Sequence, residues 1–398
     1  MAKLHLPSVP KRIIDTPAAL DDLCTHLRAA GRFAFDTEFI GENTYYPVLC
    51  LVQVATVERV DLVDPFAIDD LSPLWSLIND PAIPKIVHAG DQDVEIVWQK
   101  SGAKPQNVFD TQIAAGMIGL AYPAALWRVV EFYAGITLDK AHTYSAWDRR
   151  PLSKDQLTYA VDDVRYLLHV HDVMTAKLES LGRTHWQTAA CTQMIDENCK
   201  PVDARGVFAR IKGANSLDGD QLAVLRELTA WREQVAYEHD LPPRAMIADE
   251  ALFDVAKRLP RDVDAVKRIK TLGAEDARSY GPHLVDLVKR GLTVPPDDRP
   301  ELISPGEDSL AVKRLSEALW VAAQTICLGQ SVTPGLVTSQ NEVAALARLI
   351  DRSASLDKHP LTHGWHHECL GQHLAALVKG QRTVAFKFGP EGLEAQFS

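Results

Sequence analysis

Four carboxylates and one tyrosine are spaced for phosphodiester chemistry. Asp36 and Glu38 stand two apart in FAFDTEF, Asp93 lies in VHAGDQDVEIV, and Tyr159 and Asp163 stand four apart in YAVDDV. The apolar run Phe33, Ala34, Phe35 predicts a strand, and strand side chains alternate with period two, so Asp36 and Glu38 leave it on the same face. In a helix, residues four apart share a face one turn apart, which pairs Tyr159 with Asp163. Carboxylates gathered this way repel one another unless a cation lies between them. Hard divalent ions with oxygen ligands, Mg²⁺ or Mn²⁺, answer that need. The expected chemistry is a two-metal site: two cations clamp the attacking and leaving oxygens of an in-line displacement. Asp36, at the strand end, is the natural bridge, with Glu38, Asp93 and Asp163 completing the shells. Tyr159 is expected to orient the water, because its ordinary pKa of about 10 is too high for a base. Each piece alone has a plainer reading, a turn or cap for DxE and a surface pair for YxxxD; their order along the chain carries the chemical one.

The elements that must position these residues read as α/β in the first half. Strands are predicted over Arg32–Thr37, Leu49–Thr56, Arg59–Val63 and Lys85–His88, with breaks at Tyr46-Pro47 and Asp64-Pro65. Helical patterns cover Pro73–Asn79, Asp91–Lys100, Thr111–Gly119 and one long stretch, Lys154–Leu181. Three close strands followed by alternating helices and strands predict a mixed sheet with helices on its faces. Beyond about Pro201, strand signals nearly vanish until the last residues. Helices are predicted over Asp218–His239, Asp249–Leu259, Asp262–Lys270 and Ala274–Arg290, then from Ser309 to about Gly380, after a proline-rich linker. Breaks at Asn198–Ser216 and Leu292–Asp308 divide the chain into 1–200, 215–295 and 308–398.

Composition narrows the setting. The 398 residues are 46% hydrophobic and 24% charged, as in ordinary globular proteins. The apolar runs are too short to span a bilayer, and no apolar segment follows the basic N-terminus as in a secretory signal. The six cysteines have neither paired CxxC nor zinc spacing, so reduced thiols in a cytoplasmic protein are expected. The net charge of −11 argues against tight, sequence-blind duplex binding. Its distribution matters more. Residues 1–200 hold 18 Lys and Arg against 26 Asp and Glu, whereas 201–300 hold 16 against 17. The acidity is concentrated in the half that carries the carboxylates, where metals would offset part of it.

The order DTEF, HAGDQD, YAVDDV resembles the three motifs of the DEDD exonuclease superfamily, and Tyr159 matches its tyrosine subclass; the position of the alternative histidine is Thr158. TYYPVLCLVQVAT, LVDPF, FDTQIAAGMIG, GITLDK and RRPLSKDQLTYAVDDVRYLL narrow the resemblance, over roughly residues 12–180, to ribonuclease D. LRELTAWREQVAYEHDLPPRAMIADEALFDVAKRLP resembles the all-helical HRDC module, and PLTHGWHHECLGQHLAALVKG resembles the second helical subdomain of longer family members. Two positions depart from the family pattern: Ala146, where Asp commonly precedes the Trp, and His366, where Arg commonly follows Gly-Trp. The resemblance implies a ribonuclease H-like exonuclease domain followed by helical HRDC-type domains. It implies a metal-dependent 3′→5′ exoribonuclease that releases 5′-mononucleotides from RNA with a free 3′ end, tRNA precursors above all, with no membrane and no obligate protein partner. Thr37, His88, Lys140, Lys267, Arg268 and Lys270 are candidate substrate contacts, although His88 also reads as a packing residue and the basic residues as solvated faces. A DNA exonuclease is the alternative, since discrimination rests on 2′-OH contacts that sequence does not display. A catalytically dead RNA-binding scaffold ranks last, because all five site residues are present.

Overall fold

The computed structural model describes residues 6–9, 13–138, 146–302, 308–389 and 392–397. Its elements in order are α1 (Pro17–Ala30), β1 (Phe33–Ile40), β2 (Val48–Ala55), β3 (Val60–Val63), α2 (Ser72–Ile78), β4 (Lys85–Val87), α3 (Asp91–Ser101), β5 (Val108–Asp110), α4 (Thr111–Met117), α5 (Leu126–Ala134), α6 (Lys154–Arg165), α7 (Leu167–Ser180) and α8 (Thr184–Asn198). The helical stretch that follows holds α9 (Gly219–Glu238), α10 (Pro243–Met246), α11 (Asp249–Arg258), α12 (Val263–Lys267) and α13 (Ala274–Leu292). Last come α14 (Leu310–Gly329), α15 (Pro334–Val337), α16 (Gln340–Asp351), α17 (Gly364–His366), α18 (Gln372–Val378), and the hairpin β6 (Val384–Gly389) and β7 (Gly392–Phe397).

The chain divides into two compact units, one of residues 1–39, 49–200 and 308–398, the other of 40–48 and 201–307. In the first, five strands lie in the order β3-β2-β1-β4-β5. β2 pairs antiparallel with β3, whereas β4 runs parallel to β1 and to β5. Phe33, Ala34 and Phe35 of β1 are fully buried, as expected of a central strand covered on both faces. One core lies against α1, α2 and α3 and includes Leu23, Leu27, Phe33, Leu74 and Val97. The other joins α4, α5, α7 and α8 to the C-terminal segment: Met117, Val130 and Met174 cluster with Leu319, Ala323, Ile326 and Trp365. Residues 308–378 therefore complete the hydrophobic core of the body that carries the sheet.

The long helix expected over Lys154–Leu181 is two helices. At Tyr166 the backbone N–H turns to Val164 O, and the ring goes into the core at 6% exposure. In the second unit α9, α11, α12 and α13 enclose Leu225, Leu228, Leu252, Val255, Val266, Leu284 and Val288. The loop 40–48 belongs to this unit: Tyr45 donates from Oη to Glu233 (3.2 Å) and from its backbone N–H to Asp240 Oδ1 (3.1 Å), and its ring meets Tyr237 edge-on at 5.5 Å. No helix among the described residues is long and apolar enough to cross a membrane.

Candidate active site

Three elements bring the acids together. β1 carries Asp36 and Glu38 where its burial pattern opens from fully buried to intermediate. α6 carries Tyr159 and Asp163 and starts at a fixed point: Ser153 accepts from the Gln156 N–H, and the Gln156 side chain accepts from the Ser153 N–H. α3 carries Asp93 in its first turn, after a tight turn at His88-Ala89-Gly90. Asp110 Oδ1 accepts from the Ala89 N–H (3.2 Å) and its Oδ2 from the Gly90 N–H (2.9 Å). A Cβ at Gly90 would lie 2.5 Å from Val87 Cγ2, so the turn has no room for a side chain there.

Asp36, Glu38 and Asp163 each present a carboxylate oxygen within 4.8 Å of the others. Asp93 stands beside this trio, where it accepts from Thr37 Oγ1 at 2.5 Å and from the Thr37 backbone N–H. Thr37 alternates with Asp36 and Glu38 along the strand, so the same three residues present two acids on one face and a clamp for a third on the other. Asp163 also accepts from the Tyr159 hydroxyl, while its Oδ2 is buried without a hydrogen-bond partner.

Burial and mutual repulsion dominate the electrostatics. Asp36 is held well above the usual carboxylate range, by burial first and then by Asp93, Asp163 and Glu38. Glu38 is pushed up to about 9 by burial and by Asp163 and Asp93. Asp163 rises to about 8 through burial, Asp162 and Asp93, against the Tyr159 hydrogen bond. Asp93 rises to about 7 through burial, opposed by the Thr37 hydrogen bonds. Tyr159 is raised by burial and by the neighbouring acids, which keeps the phenol protonated. Four such acids and an unpartnered buried oxygen fit hard divalent cations: the donors are all oxygen, and bound positive charge would let every carboxyl ionise.

The other sequence candidates are distributed differently. His88 is engaged at both ring nitrogens, Nδ1 with Thr111 Oγ1 (2.9 Å) and Nε2 with Ala124 O (3.0 Å). Lys140 lies outside the described residues. Lys267, Arg268 and Lys270 are exposed at and beyond the end of α12, and Lys267 pairs with Asp264 at 3.1 Å.

Two further residues shape the site. Trp147 is 3% exposed, and its ring lies 6.1 Å from that of Tyr159. Arg150 makes a two-pronged pair with Asp64 (2.7 Å to each oxygen) and donates to Cys50 O and Trp147 O, which ties the segment before α6 to β2 and β3. Ala146 joins this arrangement through its backbone, its carbonyl accepting from Gln156 Nε2.

The chain is similar to several known proteins. A family model described as 3′-5′ exonuclease matches residues 11–179, and one described as HRDC domain matches 221–288. A ribonuclease D of Nitrobacter hamburgensis is 32% identical over 380 residues, 95% of this chain and 97% of the relative. A ribonuclease D of Bartonella henselae is 30% identical over 373 residues, 93% and 90% of the two chains. The crystal structure of Escherichia coli RNase D, an exoribonuclease involved in structured RNA processing, superimposes with a TM-score of 0.83 at 30% identity, covering 93% of this chain and 99% of that one.

Proposed function

The chain belongs to the ribonuclease D family and is a 3′→5′ exoribonuclease; on that footing we propose that it shortens RNA one 5′-mononucleotide at a time by two-metal hydrolysis. The observation that carries this reading is the meeting of Asp36, Glu38 and Asp163 oxygens within 4.8 Å, with no Lys or Arg paired to them among the described residues. Asp36, Glu38, Asp93 and Asp163 would hold two divalent cations, Mg²⁺ or Mn²⁺. When bound, these supply charge neutralisation at the scissile phosphate and polarise the attacking water.

The side chains divide the remaining tasks. Asp36 is raised by each of the three other acids, so it would be the carboxylate that either cation could draw on. Thr37 is a positioning residue: its two hydrogen bonds fix which way Asp93 faces. Tyr159 stays protonated, donates to Asp163 and can accept from a water through its phenol oxygen, so it orients the nucleophile and does not deprotonate it. Trp147 limits where that phenol can swing. The exposed Lys267, Arg268 and Lys270 would meet RNA phosphate in the HRDC module.

The substrate would be RNA with a free 3′ end, and tRNA precursors fit what is described for the E. coli relative, which acts in structured RNA processing. Six buried free cysteines among the described residues support a cytoplasmic setting. The test is a time course of purified protein on a 3′-extended tRNA, with Mg²⁺ or Mn²⁺ and with EDTA. Single-nucleotide shortening that EDTA abolishes is expected; shortening that survives complete chelation would overturn the metal assignment, and release of oligonucleotides would overturn the stepwise one.

A further inference from the structure

Two of the six buried free cysteines face each other. Cys327 lies near the end of α14 and Cys369 in the π-helical turn His367–Gly371. Both are 0% exposed, in the core shared with Met117, Ile326 and Trp365. Their thiols hydrogen-bond, Cys327 donating to Cys369. Both backbones are held. The Cys327 carbonyl accepts from the N–H groups of Gln330 (3.0 Å) and Val332 (2.9 Å). The Gln330 side chain donates to the Cys369 carbonyl (2.8 Å) and to Ile326 O (3.3 Å), so one amide ties the two segments together. The turn is seated so closely that a Cβ at Gly371 would lie 1.6 Å from the Leu361 carbonyl oxygen. Sulfurs that meet on anchored backbones are placed for a bond, since a disulfide tolerates little displacement of its ends.

The pair is also asymmetric. Burial pushes the thiols of Cys24 and Cys199 up to about 11, which leaves them protonated and unreactive. Cys369 is instead held below the ordinary thiol value, first by the hydrogen bond from Cys327 and then by the Arg183 guanidinium, against burial. Arg183 is 8% exposed and fixed in place: Nη1 donates to Met117 O (2.7 Å) and Nη2 to Gln330 O (2.5 Å). A thiolate needs such partners to persist in a core. A thiolate in contact with a second thiol is the arrangement in which peroxide oxidation ends at a disulfide.

We propose that Cys327 and Cys369 form an oxidisable latch, which hydrogen peroxide closes into a disulfide that fastens α14 to the turn His367–Gly371. In the first step Cys369 Sγ attacks one peroxide oxygen. The S–O bond forms, the O–O bond breaks, and the departing hydroxide takes up the Cys369 proton as water. In the second, Cys327 Sγ attacks Cys369 Sγ. The S–S bond forms, the S–O bond breaks, and hydroxide leaves with the Cys327 proton as a second water. The two thiols lose two electrons and two protons, and one peroxide is reduced to two waters. Neither sulfur is exposed, so peroxide reaches them when the C-terminal segment opens locally, and the bond once formed suppresses those openings. That segment completes the core behind the sheet, so the latch protects the catalytic body while no site carboxylate takes part.

The experiment treats the full chain with hydrogen peroxide and counts the remaining thiols after denaturation. The count is expected to fall from six to four. An unreduced digest should contain peptides joined through Cys327 and Cys369, two hydrogens lighter than their sum. The melting temperature should rise by about 5 °C, the scale for a disulfide closing a long loop in a chain of this size. Dithiothreitol should reverse each change. In Cys327→Ala, Cys369 should stop at the sulfenic acid and be trapped by dimedone; in Cys369→Ala, Cys327 should stay reduced. Cys24→Ala should form the link as wild type does. Six surviving thiols, or two lost at other positions, overturn the proposal. A linked pair that leaves the melting temperature unchanged or lower overturns the latch. Should the alanine variants fail to fold, the wild-type digest and its reversal by dithiothreitol decide on their own.

Discussion

In the helical unit Glu227 is 7% exposed and accepts from both Arg205 and Arg290, and Asp249 sits between Arg232 and Arg244. In the catalytic unit Asp36, Glu38 and Asp163 are half-buried and face one another. Glu227 and Asp249 draw counter-ions from the chain itself, whereas the catalytic trio faces only acids. A buried acid beside an arginine meets its desolvation cost within the fold, whereas an acid buried among acids stays protonated or waits for a cation from outside. The first arrangement holds a structure; the second is kept at the expense of one.

That contrast can be broken at either end. Asp163→Asn should reduce turnover on RNA by on the order of 10³-fold, at least as much as removing a single transition-state donor. The same variant should melt no lower than wild type without metal, because it replaces an acid whose charged form the site repels and keeps a partner for Tyr159. Near wild-type rates with Mn²⁺, or a large drop in melting temperature, would place Asp163 with the structural acids. Tyr159→Phe should slow turnover by about 10²-fold, the lower range for a positioned proton-transfer or water-orienting group. Calorimetric metal affinity should barely change, since the hydroxyl is assigned to the water and not to a cation; a parallel loss of affinity would make the tyrosine part of the metal site.

The pH dependence sharpens the comparison. Glu38, Asp163 and Asp93 titrate near 9, 8 and 7 in the metal-free fold, against roughly 4 in an unfolded chain. Across that window the folded state holds more protons than the unfolded one, so stability is lost as pH rises from about 4 towards 9. Bound metal displaces those protons, so stabilisation by Mn²⁺ should grow with pH. Melting curves between about pH 6 and pH 8.5, with and without Mn²⁺, check the sign; rising metal-free stability over that range would contradict it. The smallest effect is expected at Glu227→Gln. Arg205 and Arg290 are both more than half exposed, so the loss should be about 1 kcal/mol of stability, with RNA turnover unchanged. A loss of several kcal/mol would mean these exposed arginines depend on Glu227 far more than their solvation implies.

Much of the site's local geometry was legible from spacing. Period two places Asp36 and Glu38 on one face, period four pairs Tyr159 with Asp163, and the structure has both pairs in those relations. How the segments meet was not legible. Asp93 reaches the others only because β4 pairs parallel to β1, Phe33 opposite Lys85, and a residue's own neighbourhood in sequence does not encode that register. Thr37 reads as a residue near substrate but spends its hydroxyl on Asp93. The bonds of His88 to Thr111 and Ala124, and the ties of Arg150 to Asp64 and Cys50, link residues 23 to 100 positions apart. The periodicity of α14 announces a buried face at Leu319, Ala323 and Ile326; it does not say that Met117 and Met174 lie in the same cluster. The break at Tyr166 involves neither proline nor glycine, so the pattern runs through it unmarked.

That cluster has a consequence for how the protein comes into being. The helices that back the catalytic sheet, α4, α5, α7 and α8, complete their core only with side chains from residues 312–374, made after the whole helical unit between. At ~5–20 residues per second of synthesis, the sheet and its acids exist on the ribosome for several seconds before the apolar surface behind them is covered. Contacts this distant in sequence also carry a loop-closure cost that local ones do not. The nascent chain thus passes through a stage in which its nuclease motifs are all translated while the body that holds them is unfinished. A competent nuclease would then emerge only after residues 312–374 have been made.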